Sequence, residues 1–293
     1  MHPSVGVIGT GAMGIGVVAS LKRGGITTHA RDIRPEAQSA AAALGATCHP
    51  DPASLARASD IAIVLVVDAA QIDTVLFGDG GAAGALREGG IVVVSSTVAP
   101  DYIEALAPRL AAHGVTLVDG PVSGGPKRAA DGTMTIMLAG PTDALARCDP
   151  VIACIAGRAF RVGSTPGDAA KFKIVNNLLA AVNLAAGAEA LALAVRAGLD
   201  PRQVVDVINA SSGGSWIFAD RMPRALAGDY APRAATRILT KDVSIAADFA
   251  ARLGVGATFA DAAREAFRGA VAAGFGDEDD AAICKYMGAL QPK

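Results

Sequence analysis

Apolar positions along this chain follow two regimes that divide near residue 163. In the first, short apolar runs recur at Val5 to Ile8, Ile61 to Val67, Ile91 to Ser95 and Val115 to Val118, and Ile26 to Arg31 reads as a second strand. Such runs predict strands buried from both sides, as in a parallel sheet covered by helices. Helical spacing fills the intervals, through Val17, Val18 and Leu21 and around Pro52 to Ala58, Gln71 to Phe77 and Asp101 to Ala112. Thr133 to Leu138 and Arg158 to Val162 read as two further strands, and Gly163-Ser164-Thr165-Pro166-Gly167 closes the regime.

Beyond it the strand signals stop. Gly167 to about Arg196 predicts one helix of roughly 45 Å, ended near Gly198. Further helices are expected from Pro201, behind the cap Asp200, and from Ser215, Ala234 and Ala257. The acidic run Asp277 to Asp280 reads as a solvated loop or a cap for the last helix, with Asp280 as the capping residue.

Candidate chemistry falls at the ends of these elements. Gly9-Thr10-Gly11-Ala12-Met13-Gly14 is a GxGxxG segment between the first strand and the first helix. Bare backbone at Gly9 and Gly11 lets a pyrophosphate reach the amides of Ala12 and Met13, while Gly14 lets the helix pack closely on its strand. The second strand ends at Asp32, about 20 residues on, where a carboxylate accepts hydrogen bonds from an adenosine ribose and repels a 2′-phosphate. NAD is therefore favoured over NADP, although Arg31 and Arg34 offer partners for a phosphate. Val67, Asp68 and Thr97 begin loops at carboxyl ends of later strands, the edge over which a nicotinamide lies in an open α/β sheet.

Asp119-Gly120-Pro121-Val122-Ser123-Gly124-Gly125 is a strand end entering a small-residue loop. The amides of Gly124 and Gly125 and the Ser123 hydroxyl suit a substrate carboxylate. Lys173 and Asn177 lie one turn apart near the start of the long helix, an amine and an amide on one face, able to hold one hydroxyl. The duller readings are a solvated lysine and an asparagine bonded to a neighbouring chain.

Length and composition narrow the class. A chain of 293 residues exceeds what one core normally serves, so two domains are expected, 1–163 and 164–293. With 52% hydrophobic and 18% charged residues and a net charge of −2, it has no basic surface for nucleic acid. Leu178 to Val195 is interrupted by Asn183, Gly187 and Glu189, which argues for a helix buried between protein surfaces rather than in a membrane. The segment before Val5 lacks the features of a secretory signal, so a cytoplasmic location is expected. Four cysteines without CxxC spacing or an adjacent histidine predict no metal site. The apolar excess of the long helix predicts a homodimer or homotetramer.

Together these motifs resemble the β-hydroxyacid dehydrogenase family, through Gly9 to Gly14 with Asp32, Asp119 to Gly125, Lys173-Ile174-Val175-Asn176-Asn177 and Lys241-Asp242. The resemblance implies an α/β fold, a Rossmann-type NAD-binding domain followed by an all-helical one. It implies substrate binding by Ser123, Gly124 and Gly125, catalysis by Lys173 with Asn177, and substrate or cofactor contacts by Lys241. Within the family the chain is most similar to the L-threonate dehydrogenase branch, through Ala69-Ala70-Gln71, Val75-Leu76-Phe77-Gly78, Ser215-Trp216-Ile217-Phe218, Gly228-Asp229-Tyr230 and Gly276 to Asp280, and departs from it at Asn176-Asn177. The implied activity is NAD-dependent oxidation of a small hydroxy acid, a sugar acid such as L-threonate. The alternatives are 3-hydroxyisobutyrate, tartronate semialdehyde or hydroxy amino acid chemistry, and a dinucleotide-binding protein without turnover.

Overall fold

The computed structural model describes residues 3–290, which fall into two compact units divided between Lys173 and Ile174. In the first, β1 (Val5–Ile8), α1 (Ala12–Arg23), β2 (Thr28–Arg31), α2 (Pro35–Ala43), β3 (Thr47–Cys48), α3 (Pro52–Arg57), β4 (Ile61–Val64), α4 (Ala69–Phe77), β5 (Ile91–Val94), α5 (Pro100–Ala111) and β6 (Thr116–Asp119) alternate. Their strands pair in parallel in the order β3-β2-β1-β4-β5-β6. β7 (Val122–Ser123), α6 (Gly125–Asp131), β8 (Met134–Ala139), α7 (Thr142–Ile155) and β9 (Ala156–Gly163) extend the sheet, with β8 antiparallel to β6 and β7 and parallel to β9.

The two-faced apolar runs have a direct structural meaning. Val5, Val7, Ile61, Ile63, Ile91 and Val93 point to one face and pack with Val17, Val18 and Leu21 of α1 and with Leu145, Cys148 and Ile152 of α7. Ile8, Ala62, Val64, Val92 and Val94 point to the other, against Leu55, Ile72, Leu76, Ile103 and Leu106. A period of two with both phases apolar is what a sheet covered on both faces requires. Sequence order reverses at the β1–β4 junction, the position where open α/β sheets hold ligands at their carboxyl edge.

The remainder is helical: α8 (Asp168–Arg196), α9 (Pro201–Asn209), α10 (Trp216–Leu226), α11 (Thr236–Arg252), α12 (Thr258–Ala270), a short turn at Asp280–Ala282 and α13 (Ile283–Tyr286). Asp200 and Ser215 cap α9 and α10 by accepting from the Arg202 and Phe218 amides. In the second unit Leu184, Ala188 and Leu191 of α8 form a core with Phe218, Met222, Val243 and Phe267. α8 is the one described helix long and apolar enough, by length and composition, to cross a membrane.

The acidic run differs from expectation. Asp279, not Asp280, caps the last turn, accepting from the Ala281 amide, and both are buried rather than solvated. Arg221 binds Asp280 through Nε at 2.5 Å and Nη2 at 3.2 Å, and Arg224 reaches Asp279 at 3.1 Å. Two arginines one turn apart on α10 thus fasten the C-terminal segment to it. Sequence spacing gives no sign of this, because the partners are nearly 60 residues away.

Candidate active site

Parallel register brings the predicted cofactor residues to one edge of the sheet. Ile8 lies beside Arg31 and Val64, and Val64 beside Val94, so Gly9, Asp32, Val67, Asp68 and Thr97 all follow adjacent carboxyl ends. Gly9 turns with φ +90°, and a Cβ on Gly14 would strike the Gly9 carbonyl. The α1 N-terminus has no side-chain cap and no acid in its first turn, which leaves the Ala12 and Met13 amides for an anion. These features fit a dinucleotide pyrophosphate. Gly9, Gly11, Ala12, Met13 and Gly14 would hold the phosphates and Asp32 the ribose.

Asp32 is buried and bonded to the segment around it. Its carboxylate accepts from the Thr10 amide at 2.8 Å, the Arg34 amide at 3.0 Å, and Arg34 Nε and Nη2 at 3.0 and 3.2 Å. Burial alone would raise its carboxyl, but the Arg34 side chain and the Arg34 and Thr10 amides outweigh that and hold it below the usual range. Arg34 also lies over the phosphate loop, with Nη2 3.5 Å from where a Cβ on Gly11 would sit. The neighbouring loops are locked locally: Asp68 caps α4 by accepting from Gln71, Gln71 Oε1 accepts from the Val67 amide, and Ser96 Oγ accepts from the Val66 amide.

Ser123 ends β7, paired with Thr135 of β8, and is followed by Gly124 at φ +129° and Gly125 at φ +75°. Two successive left-handed residues explain the double glycine, since a Cβ is strained at both. The loop follows β6, whose last residue, Asp119, is 1% exposed and bonds the first turn of α8: Oδ2 accepts from Gly167 N at 2.9 Å and Ala170 N at 2.8 Å. Burial pushes the Asp119 carboxyl up to about 6, against the pull of the Ala170, Gly167 and Ala169 amides.

Lys173 and Asn177 lie one turn apart on α8, both 7% exposed, so neither sits on a solvated face. Within the second unit, Asn177 Nδ2 donates to Asp242 Oδ2 at 2.7 Å, and its Oδ1 accepts from Asn176 at 3.0 Å. Lys241 Nζ lies 2.8 Å from Asp242 Oδ1, an ion pair with an acid whose side chain is 7% exposed. Asp242, marked by the sequence only as the neighbour of Lys241, is the acid that joins Asn177 to Lys241. Its position beside Lys241 on a helix was legible, but its bond to an amide 65 residues earlier was not.

A parallel sheet built for a dinucleotide, followed by a helix carrying a buried lysine, defines a nicotinamide-dependent dehydrogenase. Residues 4–163 match the NAD-binding domain of 6-phosphogluconate dehydrogenase, and residues 167–287 the NAD-binding domain of NADP-dependent 3-hydroxyisobutyrate dehydrogenase. The chain belongs to the β-hydroxyacid dehydrogenase family. L-threonate dehydrogenase of Cupriavidus necator is 44% identical over 99% of this chain and 98% of its own. The enzyme of the same name from Escherichia coli K12 is 40% identical over 98% and 95%. A crystal structure of 3-hydroxyisobutyrate dehydrogenase from Salmonella typhimurium superposes with a TM-score of 0.91 at 39% identity, over 96% of this chain and 99% of that one. The protein is thus an oxidoreductase acting on CH–OH groups with a nicotinamide dinucleotide, and the reading without turnover is set aside.

Proposed function

We propose that this protein is a cytoplasmic, NAD-preferring dehydrogenase of a small sugar acid, L-threonate. The observation that carries the chemistry is the buried Lys173 one turn from Asn177 on α8. Bound nicotinamide supplies the hydride acceptor. Lys173, uncharged, takes the proton from the substrate hydroxyl, and in reduction its ammonium returns it. Asn177 spends one N–H on Asp242 and has a second for the hydroxyl oxygen. Asp242 holds Asn177 and Lys241 together, while Ser123 and the Gly124 and Gly125 amides receive the substrate carboxylate.

The substrate rests on the two L-threonate dehydrogenases at 40% and 44% identity across nearly the whole chain. Initial rates with L-threonate, 3-hydroxyisobutyrate, glycerate and β-hydroxy amino acids test it. L-threonate is expected to give the highest kcat/KM, and a preference for 3-hydroxyisobutyrate would replace it with the activity named for the Salmonella relative.

NAD preference rests on Asp32, and Arg34 is what moderates it. Arg34→Ala leaves the carboxylate uncompensated toward a 2′-phosphate, so the NAD-to-NADP ratio of kcat/KM should rise about tenfold, the effect of one charge-assisted contact. An unchanged ratio would remove Arg34 from cofactor choice.

A homodimer or homotetramer is supported by the unpartnered apolar surface of α8, where Phe172, Val175, Leu179 and Leu193 are each more than half exposed. In the second unit, Val175 and Leu178 line an apolar groove of about 200 Å³ with Phe249, Leu253 and Val255. Sedimentation should give two or four times the 29.2 kDa chain mass, and a monomer would refute the assembly.

A further inference from the structure

Asp119 is a buried ionisable group for which the proposed chemistry has no use. It ends β6 opposite Val94 of β5 and Ala139 of β8, two apolar neighbours that offer it nothing. Its partners are instead the Gly167 and Ala170 amides, at the N-terminal turn of α8, where the helix dipole favours a negative charge. Ala170 precedes Lys173 by three residues, and Ala169 by four, so the bonded turn and the lysine share one buried face. On its other side Asp119 continues directly into Gly120 to Gly125.

We propose that Asp119 is a positioning residue of the reaction: by tying the first turn of α8 to the carboxyl end of β6, it sets where Lys173 stands relative to the Ser123 loop. The inference rests on the reading of Lys173 as the proton acceptor. The nearby charged groups are Asp168 in the same turn, whose like charge opposes ionisation of Asp119, and Lys171, which is taken up by Glu104 at 3.0 Å and Asp168 at 3.3 Å. Protonation of Asp119 removes the charge that makes both amide bonds strong, and burial brings that event to about pH 6.

The test compares wild type, Asp119→Ala, Asp119→Asn and Lys173→Ala for kcat, KM, NAD affinity and the pH profile of kcat. Asp119→Ala should lower kcat by about 100-fold, as for a misplaced catalytic group, with NAD affinity nearly unchanged. Asp119→Asn keeps an acceptor oxygen for the amides but cannot titrate. It should recover most of kcat at neutral pH and remove the limb expected near 6 from Asp119, leaving only the one that protonation of Lys173 imposes. An acid limb unmoved in Asp119→Asn, or a normal kcat in folded Asp119→Ala, would overturn the inference. If Asp119→Ala does not fold, the profile of Asp119→Asn still decides. Full turnover by Lys173→Ala would instead overturn the reading of the lysine, so the two failures are separable.

Discussion

Lys173→Ala is expected to remove at least about 1,000-fold of turnover while leaving NAD binding within about twofold, because proton transfer by a positioned side chain typically contributes 10²–10⁴-fold. The amine is buried on α8, whereas the residues fitted to the dinucleotide follow β1 and β2, so its loss removes chemistry rather than the cofactor cradle. A folded variant that loses kcat and NAD affinity in equal measure would make Lys173 a structural residue. Arginine should not rescue it, since a guanidinium does not release its proton in proteins.

Asp280→Ala has the largest expected effect on stability. It leaves Arg221, whose side chain is 11% exposed, without its two-pronged partner. Breaking a buried ion pair from one side costs about 3–5 kcal/mol. For a unit of this size that is a fall in Tm of about 10 °C or more. Scanning calorimetry would show it, and a Tm within about 2 °C of wild type would mean that Asp279 and Asp220 already satisfy Arg221. Replacing both partners by apolar residues of similar volume should recover part of the loss, because the arginine is then no longer stranded.

What was legible in the sequence is what depends on neighbours along the chain. The two-faced runs at Val5, Ile61 and Ile91 identify a covered parallel sheet because both phases of their period are apolar. The glycines of Gly9 to Gly14 mark a turn that collides with any Cβ at Gly14. Asp200 was readable as a cap because a cap bonds its own first turn. Short elements such as β3 and β7 were not readable, since two residues carry no period.

What the sequence hides is pairing across long separations. Asp280 looks like one more surface acid until α10 is seen to place Arg221 against it. Asp242 looks like the exposed partner of its neighbour Lys241 until Asn177 is found donating to it. Asp119 reads as the first residue of a loop motif, yet its carboxylate is spent on amides some 50 residues further on. Each of these acids is buried, and a buried acid must find its partner wherever the fold brings one.

A single turnover of the NAD-loaded enzyme with L-threonate whose carbinol hydrogens are deuterium tests the hydride transfer directly. Hydride transfer from the substrate should give NADH that carries one deuterium, formed more slowly than from ordinary L-threonate and at least about 1,000-fold more slowly in Lys173→Ala. NADH without the label, or none at all from a folded enzyme that binds NAD, would contradict it.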